Sequence, residues 1–379
     1  MSNDCDFLVI GAGIAGASAG YFLTEKGRVT VLEREDAPGY HATGRSAALF
    51  FVTFGPPAIR ALSRAAQPFL ETPPAGFAEY PLMTPRGALT IARPGEEVAL
   101  AALFSDISSA ARTARMIDAT EAVALCAALN RGSIAAAIWE PDVCDLDVGA
   151  ILAGYLSGYK ARGGTLVTGA EVTRLARADG RWTAETPAGS FTAPVVVNAA
   201  GAWADVIAGL AGVTPIGLVP KRRTAFTFDP PAGMDCDTFP TVGDVTDSFY
   251  FKPEAGRVLV SPADATPSPP CDAQPEELDV AIAADRMEQV TTFEVRRVTH
   301  KWAGLRSFVA DGVMVAGFAP GVAGFFWLAG QGGYGIQTSP AMGRLTAALA
   351  TGEPMPADIL AQGVSADDLS PSRVELTTI

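Results

Sequence analysis

The chain has 379 residues, 49% of them hydrophobic and only 18% charged, which describes an ordered globular protein too long for one simple core. Its formal net charge of −13 disfavours nucleic acid as a partner, although a local arginine pair can still hold a small anion. No run of about 18 uncharged apolar residues occurs, so no membrane-spanning helix is expected.

From the N-terminus, Asp4 and Asp6 stand where a signal peptide carries basic residues, which sets the expectation of a cytoplasmic protein. Residues 7–10 form an apolar strand that feeds the turn Gly11-Ala-Gly13-Ile14-Ala15-Gly16 and then a helix-like stretch. A second strand, 29–32, ends on Glu33, 22 positions beyond Gly11. In this context Gly11 lets the chain turn, Gly13 lets backbone N–H groups approach a pyrophosphate, and Gly16 lets helix and strand pack closely. The helix start adds a positive dipole end, and Glu33 can accept from ribose hydroxyls while repelling a 2′-phosphate. The chain therefore binds an adenine dinucleotide.

A polar, glycine-punctuated loop follows and leads into a helical stretch clearest at 61–70. Short strands (88–92) and helical pieces (119–125) mix between 80 and 144. Asp147 caps a helix through Lys160, Gly163-Gly164 ends it, and a strand resumes at Thr165. Asp179-Gly180 marks a hairpin, and 194–198 reads as a buried parallel strand ending in a small-residue turn. Residues 215–300 look like an antiparallel sheet, with strands at 224–228, 248–251 and 257–260. Prolines 262, 267, 269, 270 and 275 mark a long surface loop. Glycine-rich α/β texture returns at Gly304 and again at Gly330 to Gly335.

The fold class is α/β: a Rossmann-like domain of separated segments (1–80, 145–214 and 306–379) with an inserted, mainly antiparallel β substrate domain (81–144 and 215–305). A nicotinamide dehydrogenase usually completes its nucleotide fold in one continuous block of βα units, and the second half of that block is missing here. A protein that returns repeatedly to a long FAD fits better. Cysteines at 5, 126, 144, 236 and 271 lack a CxxC pair, and the only histidines are His41 and His300. This argues against a disulfide framework, a metal site and a Ser-His-Asp hydrolase, and suggests chemistry without a histidine base.

The motifs VIGAGIAGAS, VLEREDAPGYHATGRSAA, VVNAAGAWAD, PKRRTAF, DSFYFKP, WAGLRSFVADG and GFFWLAGQGGYGIQTS, in this order, resemble the D-amino-acid oxidase superfamily of FAD enzymes. Within it the resemblance is closest to the dehydrogenase branch typified by D-arginine dehydrogenase. It implies noncovalent FAD, with Gly11, Gly13, Ile14, Ala15 and Gly16 at the pyrophosphate and Glu33 and Arg34 at the adenosine. His41, Arg45, Ser46 and Ala47 would wrap the phosphates and ring edge, and Val172, in a strand after Gly169, would pair its backbone with adenine. Ala200, Gly201 and Trp203 would close over the cofactor. Gly332, Gly333, Tyr334, Gly335, Ile336 and Gln337 would lie at the flavin pyrimidine ring.

The same resemblance implies that Arg223, Arg306 and Tyr250 clamp a substrate carboxylate. A guanidinium does so bidentately. Arg222 would face the other way on a strand. The chain departs from the branch at Leu49, Phe51, Phe54 and Ala88, where polar groups that face a cationic substrate are replaced. With Gly333 and Phe326, these residues imply a pocket for an uncharged or apolar side chain. The expected reaction is hydride transfer from a D-amino acid to flavin N5, then hydrolysis to a 2-oxo acid and ammonia. Oxygen or a quinone would take the electrons, and a quinone would imply attachment at a membrane surface. The alternatives are oxidation of an N-methyl, cyclic imino or 2-hydroxy acid, or a flavin-binding protein without turnover.

Overall fold

The computed structural model describes residues 3–373, and two large sheets organise it. The first orders six strands: Val315–Phe318, Phe325–Ala329, Val195–Asn198, Phe7–Ile10, Val29–Leu32 and Thr165–Val167. All neighbours are parallel except the edge strand Val315–Phe318. Phe7–Ile10 and Val29–Leu32 are buried at every position, which is why they are continuous apolar runs. Val29–Leu32 lies on one side of Phe7–Ile10 and Val195–Asn198 on the other. The strand order thus reverses beside Gly11, where doubly wound sheets take their ligands.

Helices Ile14–Leu23, Pro57–Glu71, Val148–Ala161 and Gly335–Ala350 pack together on this sheet. Ile14–Leu23 is apolar all round because helices cover it as well as strands. The Asp147 carboxylate caps Val148–Ala161 by accepting from the Ala150 N–H at 2.8 Å. The Asp179-Gly180 hairpin forms between Arg174–Ala178 and Arg181–Thr186.

The second sheet joins 266–267, Val219–Phe228, Arg257–Ser261, Tyr250–Glu254, Thr241–Asp244, Ala88–Ala92, Ala136–Glu140 and Arg115–Asp118, in that order. Val298–Phe308 pairs along Val219–Phe228, and one contact, Thr241–Asp244 with Ala88–Ala92, is parallel. One face buries Leu89, Ile91, Phe226, Val242, Phe251 and Val260 beneath helices Ala119–Leu125 and Glu277–Glu288. Two-residue alternation sends Arg223, Tyr250 and Arg306 to the other face.

Several expectations need correction. Helix Glu277–Glu288 buries Val280, Ala283 and Met287 at helical spacing, inside a region read as strands and loops. The proline-marked loop contains a two-residue strand, 266–267, paired to Lys221 and Arg222. Val172 precedes the strand that begins at Arg174, so it lies on no strand. The domain boundary at 305/306 falls inside Val298–Phe308, and that at 144/145 inside Cys144–Leu146. Phe326 is fully buried within Phe325–Ala329, against Phe318, and lines neither of the two cavities described below.

Candidate active site

The turn after Phe7–Ile10 is closed to side chains. Gly11 has φ of +100°, and a Cβ at Gly16 would stand 1.8 Å from the Gly11 carbonyl oxygen. Glu33 stiffens the turn: its Oε2 accepts from the Ala12 N–H at 2.7 Å and its Oε1 from the Glu35 N–H at 3.0 Å. Thr43 Oγ1 accepts from the Ile14 N–H at 2.9 Å, tying the polar loop to the helix start. The Arg34 guanidinium stands 4.8 Å above the Trp203 ring, and the His41 ring is 4.7 Å from Trp203. His41 Nε2 bonds Glu35 at 2.8 Å. Gly11, Ile14, Glu33, Arg34, His41, Thr43 and Trp203 line an open cleft of about 1250 Å³ together with Gly13, Ala15, Val172, Ala200 and Gly201.

A second cavity of about 670 Å³ is lined by Ser46, Ala47, Arg223, Tyr250, Arg306, Gly333, Gly335 and Ile336. It shares Ile14, Thr43, Arg45, Gln331 and Gly332 with the first, so the two adjoin. Helix Gly335–Ala350 begins at its wall, and a helix leaves its first N–H groups, here those of Gly335, Ile336 and Gln337, without intrahelical partners. That end is positive. The Gln337 side chain turns away: Oε1 accepts from the Phe51 N–H at 3.0 Å, while Nε2 donates to Ser63 Oγ at 2.7 Å. Tyr334 packs on Phe54 and Phe308. Arg45 donates to the carbonyls of Ala273 and Ala303, each at 3.0 Å, and pairs with Asp272, so it braces the wall shared by the cavities.

Arg223 and Arg306 come from adjacent strands in offset register, Arg223 opposite Gly304 and Arg306 opposite Lys221. Neither guanidinium has a hydrogen bond or ion pair with a described residue, and Arg223 Nε is buried without a partner. Burial, then the neighbouring Arg306, hold Arg223 below the ordinary arginine range. Asp247, with φ of +51°, opposes this charge from the turn before Tyr250. Burial pushes its carboxyl up while both arginines draw it down. Arg222 faces the other way, to Glu276 and Asp279, as strand alternation requires.

Leu49, Phe51, Phe54 and Ala88 do not border the cavity at the arginines. Leu49 pairs with Asp145, Phe51 holds Gln337 through its backbone, and Phe54 is 41% exposed beside Tyr334. Ala88 is buried between Thr241 and Glu140. Sequence reasoning passed over Thr43, Asp247 and Gln331. Thr43 lies inside the loop motif and Gln331 inside the glycine-rich one, so both could have been taken with their neighbours. Asp247 carries no local signal beyond an Asp-Ser turn.

The cavities fit a dinucleotide with a ring system. His41 Nδ1, Gln331 Nε2 and Arg223 Nε are buried without partners, and all three residues line them, as expected where a bound group completes the hydrogen bonding. The fold and site are those of a flavin-dependent oxidoreductase.

A family model of FAD dependent oxidoreductases (DAO) matches residues 6–349, and the chain belongs to that family, whose cofactor is FAD. Glycine oxidase from Geobacillus kaustophilus is 23% identical over 358 residues, covering 92% of this chain and 93% of its own. Its crystal structure superposes with a TM-score of 0.83 at 22% identity, over 98% and 99% of the two chains. L-proline dehydrogenase from P. horikoshii gives 0.83 at 20% identity, over 99% of each. FAD-dependent oxidoreductase domain-containing protein 1 from Bos taurus is 29% identical over 169 residues, 40% of this chain, and the match spans 35% of that relative's length. Among the described residues no helix is long and apolar enough to cross a membrane, and no cluster of His, Cys, Asp and Glu could hold a metal.

Proposed function

We propose that the chain oxidises a D-amino acid with an uncharged side chain to an imino acid, which water hydrolyses to a 2-oxo acid and ammonia. The observation that carries this reading is the Arg223–Arg306 pair, two adjacent cations without an acceptor among the described residues, beside a cavity that adjoins the dinucleotide cleft. Such a pair requires an anion. A carboxylate supplies it bidentately, and Tyr250, on the same face, adds a hydroxyl. Bound FAD supplies the hydride acceptor. Gly11, Gly13, Gly16, Glu33, Arg34, Thr43 and Trp203 would hold its adenosine half, and the start of Gly335–Ala350 its ring half.

The chain's own part is positioning. No histidine, aspartate or glutamate borders the second cavity, so the amine must arrive neutral and no side-chain base is needed. The D configuration rests on the resemblance to the D-amino-acid dehydrogenase branch. Electrons would pass to oxygen or a quinone, in a cytoplasmic protein. A cyclic or N-substituted amino acid is the second reading, supported by the likeness to L-proline dehydrogenase.

Anaerobic bleaching of the purified yellow protein tests this across D-amino, L-amino, N-methyl, cyclic imino and 2-hydroxy acids. Bleaching by D-amino acids is expected. Bleaching by secondary amines alone moves the assignment to the second reading, and bleaching by hydroxy acids alone overturns both.

A further inference from the structure

Two glutamines bracket the start of helix Gly335–Ala350, and they are placed differently. Gln337 is buried and gives its carboxamide to Phe51 and Ser63. Gln331 lines both cavities, and its Nε2 is buried without a partner. Its backbone has little freedom to turn that amide elsewhere. Gly330 and Gly332, with φ of +75° and +51°, flank it, and the Gly332 N–H donates to the Ser307 carbonyl at 2.9 Å. The Gln331 carbonyl in turn accepts from the Tyr334 N–H at 2.9 Å. The side chain lies across Gly335, where a Cβ would stand 3.1 Å from Gln331 Cβ and 3.5 Å from its Cγ. The amide thus starts out beside the N–H groups that the helix leaves unpaired. A buried donor in that position requires an acceptor from a bound group.

We propose that Gln331 is a cofactor ligand that sets how readily the flavin accepts electrons: its Nε2 donates to the carbonyl edge of the ring at the start of helix Gly335–Ala350. The proposal rests on FAD occupying the two adjoining cavities. A hydride leaving an amino acid carries two electrons and one proton, so the ring gains one negative charge and the amino acid becomes an iminium. The surroundings suit that charge. The helix N–H groups, Gln331 Nε2 and the guanidinium groups of Arg223 and Arg306 are all donors, and among the described residues no carboxylate lines the second cavity. A hydrogen bond to a charged acceptor is about twice as strong as one to a neutral acceptor. Gln331 therefore stabilises the reduced ring more than the oxidised one, and its fixed backbone holds the donor in place before the charge arrives.

The test is the midpoint potential of the FAD-loaded protein, titrated with dithionite beside a reference dye without substrate, with the FAD dissociation constant measured alongside. Gln331→Met keeps the length and removes the donor, and Gln331→Glu keeps the shape and puts a carboxylate in its place. Gln331→Met is expected to favour the reduced cofactor about tenfold less than the parent, a fall of ~30 mV for a two-electron couple. Gln331→Glu is expected to fall at least as far. A reduction equilibrium within twofold of the parent in Gln331→Met overturns the proposal. Weaker FAD binding beside that unchanged equilibrium would assign the amide to the sugar or phosphate groups instead. A higher potential in Gln331→Glu overturns it too, since an acceptor would then serve better there. Should Gln331→Met purify without FAD, Gln331→Asn, which withdraws the donor by one methylene, is read in its place with the same outcomes. No substrate enters the measurement, so failure of amino acids to bleach the parent would strike the amino-acid reading and leave this result standing.

Discussion

Gly333 and Arg306 contend for one space: a Cβ at position 333 would stand 2.9 Å from Arg306 Nη1. What would have to yield is the far end of a flexible side chain, not backbone. Gly333→Ala is therefore expected to leave thermal stability close to the parent while displacing the guanidinium. A misplacement of about 1 Å at a positioning group costs up to ~100-fold in rate. The expected result is a fall in kcat/KM of ~10- to 100-fold for carboxylate substrates, with an unchanged flavin spectrum. Unaltered steady-state kinetics would show that the Arg306 position does not matter.

Arg306→Ala removes one half of the clamp. Breaking a buried charged pair weakens binding by ~2–5 kcal/mol, so saturation should shift to much higher substrate while FAD stays bound. Arg306 also holds Arg223 below its ordinary range, so the substitution removes a like charge. The unliganded variant should melt no lower than the parent. A lower melting temperature without ligand, combined with normal saturation, would make Arg306 structural.

The adenosine half of the site was legible because its logic is local. Gly11, Gly16 and Glu33 act within one strand–turn–helix–strand unit, and the two hydrogen bonds of Glu33 close inside it. The arginine pair was legible only through resemblance to other chains. Arg223 and Arg306 meet through the register of Val219–Phe228 with Val298–Phe308, and nothing near either residue encodes that register. The burial of Glu140 was not legible either: it ends an apolar strand, where a glutamate ordinarily meets water, and the hydroxyl that donates to it, Thr53, lies 87 positions away. Phe326 misled for the opposite reason: in a parallel strand covered on both faces, alternation carries no information about which side faces a ligand.

Gly16 tests the cofactor turn independently of the substrate. A Cβ there would meet the Gly11 carbonyl oxygen at 1.8 Å, and that backbone cannot give without opening the turn. Overpacking of this kind costs roughly 1–3 kcal/mol or more. Gly16→Ala should purify with little or no FAD and melt below the parent stripped of FAD. Full yellow colour at parental stability would refute the close approach of helix and strand.

Glu140 gives a pH dependence whose sign follows from its burial. Desolvation raises its carboxyl above the ordinary value of 4.5, opposed by the hydrogen bond from Thr53. A raised carboxyl binds its proton more tightly in the folded state than in the unfolded one. Its contribution to stability is therefore complete below the unfolded value and is lost as pH rises through the folded one. Glu140→Gln keeps the volume and an acceptor for Thr53 without titrating. The parent should thus lose stability relative to Glu140→Gln as pH climbs from below 4.5 toward neutrality, and the difference should level off once Glu140 is ionised in both states. Melting temperatures of the two proteins over that range measure it. Parallel curves would mean that Glu140 titrates in the folded protein as it does in the unfolded chain, and its carboxyl would then be open to water rather than held behind Thr53.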